Sequence, residues 1–232
     1  EHAECVFIAA NDPAAARATA GRLRQSLVAA GRRPEDVKIF VALSVVAGAT
    51  EAEARDRHAE YQRYASPEAG LAHFAASTGV DFARYGLDDP IDYSGSNAIQ
   101  SAGQTAQQRG WTTRRQLLRQ FTLGSRYPTL VGSGSQIADE LVRWLDEGDI
   151  DGINLSRIVV PETWADFIDH VVPELQARGR YRTAYDEGTL RHKLFGQGDR
   201  LPAAHPAAAV RGLATHASPS ADTARPVSVT GA

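Results

Sequence analysis

The sequence predicts an α/β fold built on parallel strands. Three observations carry this: short apolar runs rich in β-branched residues, a helical pattern after each run, and links of only a few residues between them. Strand, helix, strand, helix with short links leaves little choice but right-handed parallel crossovers. Polar residues close the last run, from Asp151 onward, and in such folds the chemistry sits at that end of a strand.

Glu4 to Ala10 (ECVFIAA) reads as a strand buried on both faces. Asn11-Asp12-Pro13 then caps a helix, with an Asx side chain for the free amides and proline at the first helical position. That alanine-rich helix runs to Gly31, a natural stop. Asp36 to Val46 (DVKIFVALSVV) is the second strand, and Thr50-Glu51-Ala52-Glu53 is a capping box that opens a helix to Tyr64.

The alternation breaks from about residue 66 to 127. Short helices are expected at Pro67 to Ala76, Asn97 to Gln108 and Thr112 to Phe121, separated by loops rich in Gly, Asp and Pro. This stretch reads as an insertion placed after a strand. The alternation then resumes. Ser133 to Gln136 is a capping box before Ile137, Leu141, Trp144 and Leu145 at helical spacing. Strand Gly152 to Leu155 and helix Pro161 to Ala177 follow, with Pro173 expected to kink the helix. From residue 197 to 232 the composition turns to Ala, Pro, Ser and Thr, and a disordered tail is expected. Three parallel strands cannot close a barrel of eight. With no methionine in the sequence, this predicts the C-terminal portion (1–196) of a larger enzyme.

Composition bounds the function. A hydrophobic fraction of 43% and a charged fraction of 23% are those of an ordinary globular protein, and a net charge of −3 gives no nucleic-acid footprint. No apolar run reaches the roughly 18–20 residues that span a bilayer. The single cysteine, Cys5, excludes an internal disulfide, reads as a small buried hydrophobe and is consistent with a cytoplasmic protein. The seven histidines are scattered, so no metal site is expected. Leu123 to Tyr127 and Val131 to Ser135 read as glycine-containing turns, the second ending at a helix N-terminus that is either a plain cap or a holder of an anion. Asp88-Asp89 and Asp149/Asp151 fit turns, and Trp111, Trp144 and Trp164 fit core anchors. Arg157, just past the strand Gly152 to Leu155, could hold an anionic group or pair with a neighbouring carboxylate; Asn154 and Ser156 share the position.

The string VGSGSQIADELVRWLDEGDIDGINLSRIVVPETWADFIDHVVPELQARGRYRTAYDEGTLRHKLFG (Val131 to Gly196) strongly resembles the C-terminal end of the luciferase-like, two-component, FMN-dependent monooxygenases, the nitrilotriacetate, dibenzothiophene-sulfone and pristinamycin synthase group. EHAECVFIAA at the start, KIFVALSVVAGATEAEA, STGVDFARYGLDDPI and SNAIQS (Ser96 to Ser101) are similar to the same group, in the same order.

The resemblance implies a (β/α)8 TIM barrel to which this chain gives about strands six to eight, with a large helical insertion after the seventh. It implies reduced FMN supplied by a separate NAD(P)H-dependent flavin reductase, O2 as co-substrate, and oxygenation of a C–S, C–N or C–H centre through a flavin peroxide. A homo-oligomer acting on a small molecule is implied too. Most flavin contacts of the group lie upstream of residue 1. In this chain, Phe7 matches an aromatic position near the flavin ring. Ser77, Asn97 and Arg157 are candidate catalytic residues, and Gln100, Arg126 and Tyr127 a substrate lid. Dibenzothiophene-sulfone enzymes carry a functional histidine where this chain has Ser77, which argues against that substrate. A flavin- or deazaflavin-dependent dehydrogenase on the same barrel is the alternative, as is an inactive fragment. The insertion and the ending Thr189 to Gly196 favour the oxygenase.

Overall fold

The computed structural model describes residues 2–94, 98–123 and 127–210. Among these, residues 3–185 form one unit, and His2 with residues 186–210 belong to a second.

In the larger unit the long strand β2 (Lys38–Gly48) organises everything. Strand β1 (Cys5–Ile8) runs parallel to it with Phe7 opposite Phe40, and β4 (Gly152–Ser156) runs parallel with Gly152 opposite the same Phe40. One residue cannot pair with two strands on one side, so β1 and β4 occupy opposite edges. Strand β3 (Thr129–Ser133) pairs with the far end of β2, and Ser44 lies opposite both Thr129 and Ser156. β3 therefore continues the edge that β1 begins. The order β1, β2, β4 matches the expected succession of strands. β3 is a correction: the segment from Val131, read as a glycine turn, is extended backbone until Ser133. Gly132 and Ser133 hid a strand that is mostly half-buried and carries no long apolar run.

Helices α1 (Pro13–Ala29) and α6 (Gly134–Gly148) cover one sheet face. Ile39, Val41, Leu43, Val45 and Ala47 meet Ala16, Ala20, Ile137, Leu141 and Trp144 there in one core. Ala16 and Ala20 are fully buried, which lets α1 approach closely. Trp144 is 1% exposed, and its indole N–H donates to Glu140 Oε1 at 3.0 Å. Burying that ring contributes roughly 3–5 kcal/mol relative to alanine. The caps are as expected: Asp12 Oδ1 accepts from Ala15 N at 2.8 Å, and Ser133 and Gln136 close a reciprocal box. Helix α2 (Glu51–Tyr64) is capped by Thr50, while Glu53 bonds back to Ala49 N at 2.9 Å.

The N-terminal ends of the strands are tied by charge. Asp151 accepts from Ile39 N at 2.9 Å and from Lys38 Nζ at 3.2 Å, and Arg24 reaches it at 3.5 Å. Arg24 also donates to Asp149, whose φ of 52° ends α6. Carboxylates read as turn residues thus also lock helix to sheet.

The expected kink at Pro173 is a change of helix type. Helix α7 (Glu162–Asp166) passes through a π-turn (Phe167–Val171) into α8 (Val172–Ala177). Proline lacks the N–H and crowds the carbonyl four residues back, and the wider turn accommodates both.

Residues 66–127 contain their own core. Helices α3 (Pro67–Thr78), α4 (Gln100–Gln108) and α5 (Arg114–Gln120) surround Leu71, Phe74, Phe82, Tyr93, Leu117 and Phe121. The Phe74 ring stacks on Phe82 at 5.6 Å and on Phe121 at 4.5 Å, and Trp111 meets Phe121 edge-on. The helix expected from Asn97 begins at Gln100; residues 95–97 lie outside the described residues.

Two burial expectations are corrected. β1 alternates rather than burying both faces: Val6 and Ile8 pack on the core, while Cys5 and Phe7 are exposed on the other face. Trp164 is 38% exposed and no core anchor, because α7 turns that side away from the core.

In the second unit, Thr189 caps α9 (Leu190–Phe195) and Gly196 ends it at φ 65°. The described part of the 197–232 tail ends in a short 3-10 helix, Pro206–Val210; residues 211–232 lie outside the described residues.

Candidate functional site

Alternation along the strands gives the sheet a second face. With Ile39 to Ala47 at every second position turned to the helices, Phe40, Ala42 and Ser44 point the other way, and their partners Phe7, Gly152, Asn154 and Ser156 point with them. On this face Phe7 is 65% exposed and stacks on Phe40 at 5.5 Å with 29° between the rings. Phe40 lies over Gly152, where a Cβ would stand 2.8 Å from its ring. A side chain at 152 would push the Phe40 ring aside. An aromatic floor, exposed at Phe7 and half-buried at Phe40, thus spans the sheet. Beyond it come small and polar side chains: Ala42 beside Asn154, then Ser44 beside Ser156.

Phe40 is a site residue that the sequence pattern alone does not single out. Its signal was present, since in KIFVALSVV it is out of phase with Ile39 and Val41. What the sequence could not give was its pairing with Phe7.

At the strand mouths Arg157 follows β4 and is exposed; among the described residues it makes no ion pair. The mouth of β2 is braced by Arg57, which donates to Ala47 O at 3.1 Å and to Glu53 at 2.8 Å and pairs with Asp166 of α7. These partners, Asp166 first, raise the Arg57 pKa. Glu51 accepts from Gln136 Nε2 at 2.9 Å and pairs with Arg55, and both hold its carboxyl below the usual range. α2, α6 and the β3 mouth are tied through that residue.

The lid residues fall in the insertion. Ser77 lies at the end of α3, half-buried, with its hydroxyl donating to His73 O at 3.4 Å. Its carbonyl accepts from Ile99 N at 3.1 Å, which brings Ser77 and Gln100, the first residue of α4, to one corner. Tyr127 is half-buried just before β3. Asn97 and Arg126 lie outside the described residues. Phe7 and Arg157 thus belong to the sheet, and Ser77 and Gln100 to the insertion with its separate core. Among the described residues no group of three or more His, Cys, Asp or Glu is placed to hold a metal ion. No described helix is long and apolar enough to cross a membrane.

The sequence profile of the luciferase-like monooxygenases matches residues 1–150. The chain belongs to that family. It is 39% identical over 217 residues to dimethyl-sulfide monooxygenase of Hyphomicrobium sulfonivorans, covering 90% of this chain and 45% of that protein. The crystal structure of DmoA from Hyphomicrobium sulfonivorans superposes with a TM-score of 0.77 at 37% identity, covering 97% of this chain and 48% of that one. A riboflavin lyase solved with modified FMN and riboflavin superposes with a TM-score of 0.81 at 29% identity, over 91% of this chain and 47% of that one. The chain therefore spans about half the length of the relatives it matches.

Proposed function

We propose that this chain is part of a reduced-FMN-dependent monooxygenase that uses O2 to oxygenate a small organic substrate at a C–S, C–N or C–H centre. The observation that carries it, beside family membership, is the Phe7–Phe40 floor: an exposed Phe7 ring stacked on a half-buried Phe40 ring, on the sheet face turned away from the helices. The residues present fit a flavin. A planar ring system stacks on an exposed phenyl face, and the polar side chains of Asn154 and Ser156 lie on the same face for its polar edge.

In this reading the chain supplies about strands six to eight of a (β/α)8 barrel over 1–196, with 66–127 as insertion and 197–232 as tail. Phe7 and Phe40 form one wall for the ring. Arg157, at the mouth of β4, holds an anionic group of cofactor or substrate through its fork of donors. Ser77, Asn97, Gln100, Arg126 and Tyr127 orient substrate and keep water out. Reduced FMN supplies the electrons that activate O2. A separate NAD(P)H-dependent reductase delivers it, the protein works as a cytoplasmic homo-oligomer, and substrates with a C–S bond come first because of the dimethyl-sulfide relative.

The test uses the complete protein of which this chain is a part, the chain alone being expected to be inactive: an anaerobic titration with reduced FMN, followed by oxygen in a stopped-flow spectrometer. The expected result is saturable binding, then an oxygen-dependent transient spectrum absent from free FMN. Phe7→Ala should weaken binding about tenfold, roughly 1.4 kcal/mol for one lost stacking face. Binding without an oxygen-dependent transient would move the reading to a dehydrogenase, and no binding would end it.

A further inference from the structure

The insertion contains a cleft that lies apart from the sheet. Its volume is about 260 Å3, and it is lined by Glu68, Leu71, Ala72 and Ala75 of α3, by Asp81, Phe82 and Ala83 of a 3-10 turn (Phe82–Arg84 with its cap), and by Arg114, the first residue of α5. Positions 68, 71, 72 and 75 share one face of α3, whereas His73 and Ser77 lie on the opposite face. The cleft is therefore separate from the corner assigned to the lid.

Its charged side chains make no ion pair among the described residues. Among the described residues the Arg114 side chain makes a single hydrogen bond, Nη1 to Tyr85 O at 3.5 Å, and its buried Nε makes none. Among the described residues no carboxylate comes within 4.0 Å of it, whereas the adjacent Arg115 holds Asp88 by two bonds of 2.7 Å. Glu68 and Asp81 also make no ion pair among the described residues; Asp81 Oδ1 caps the turn through Ala83 N at 3.0 Å. One cation and two carboxylates thus border an apolar floor of Leu71, Ala72, Ala75, Phe82 and Ala83 without neutralising one another.

We propose that this cleft binds a small amphipathic zwitterion of the α-amino-acid class, its carboxylate on Arg114, its ammonium toward Glu68 and Asp81, and its apolar body on the floor. The charges select among ligands. A simple carboxylate meets Arg114 but is repelled by two carboxylates, a simple amine leaves Arg114 unmatched, and a neutral ligand matches none of the three charges. Only a ligand with both charges satisfies both sides. The volume falls just below the roughly 300–1,000 Å3 of drug-sized sites, so it suits one small molecule rather than a peptide. A guanidinium with free donors is matched geometrically by a carboxylate.

The test is calorimetric titration of the protein with L-leucine, 4-methylpentanoate and 3-methylbutylamine. The last two each keep the apolar body and one charge. The expected result is a leucine dissociation constant of about 1 mM or tighter, with each analogue at least about tenfold weaker. Arg114→Gln and Asp81→Asn should each weaken leucine about tenfold; asparagine keeps the cap of the turn. Ala72→Leu fills the floor without touching a charge and should abolish binding, with circular dichroism confirming that each variant is folded. Absence of leucine binding at about 10 mM overturns the proposal. So does equal binding of either analogue, or wild-type affinity in folded Arg114→Gln. None of these readouts involves flavin, so they stand or fall apart from the monooxygenase reading.

Discussion

Gly134→Ala isolates one contact that the fold depends on. Gly134 opens α6, and a Cβ there would stand 2.0 Å from the His170 carbonyl oxygen and 2.6 Å from its carbon. Ordinary contact begins at 3.4 Å, so the backbone of the π-turn would have to retreat by about 1.4 Å. That oxygen is main chain inside a helix, with no side-chain torsion to relieve it. Overpacking against such a neighbour costs about 1–3 kcal/mol, and a rigid carbonyl puts it at the upper end. Alanine returns up to about 1 kcal/mol in helix propensity, which leaves a net loss of about 2 kcal/mol. For a chain of this size the melting temperature should fall by about 4–8 °C. Gly21 is the control: it lies inside α1, with nothing within 4 Å of its Cβ position. Gly21→Ala should stabilise by about 0.5–1 kcal/mol. Thermal circular dichroism of both variants decides. A Gly134→Ala protein melting at or above the wild type would refute the reasoning, because the close approach to the π-turn would then not hold.

Asp151→Ala removes the acceptor for Ile39 N, Lys38 and Arg24 and should lower stability by about 2 kcal/mol in urea denaturation; an unchanged midpoint would count against the lock. Burial pushes the Tyr93 phenol up to about 12, and its hydroxyl donates to Trp111 O at 2.8 Å. The unfolded chain loses that proton first, so stability should fall as pH rises from about 10 to about 12, and fall less in Tyr93→Phe. Burial holds the His58 imidazole below its ordinary 6.5, so the folded state resists protonation. Stability that depends on neutral His58 is present at neutral pH and declines as pH drops below 6.5, more steeply than in His58→Gln; NMR titration of the ring gives the same sign.

Element order was legible because local chemistry fixes it. Asp12, Thr50 and Ser133 each announce a helix start through a side-chain oxygen, and each is the observed cap. The family was legible because its motifs recur in order along the chain. Three things were hidden, each for a non-local reason. β3 takes its strand character from pairing with β2, so Gly132 and Ser133 resemble a turn until the partner is known. The exposure of Cys5 and Phe7 depends on what covers the second sheet face, and an apolar run does not state that. Arg114 and Arg115 are adjacent and chemically identical, yet one holds Asp88 and the other borders the cleft with no carboxylate partner among the described residues. Helix geometry explains the difference. Successive residues on α5 are turned by about 100°, so only one of them can face the loop that carries Asp88. Which arginine is free to meet a ligand is therefore set by the phase of α5, and Thr113, which caps that helix, is the residue that fixes it.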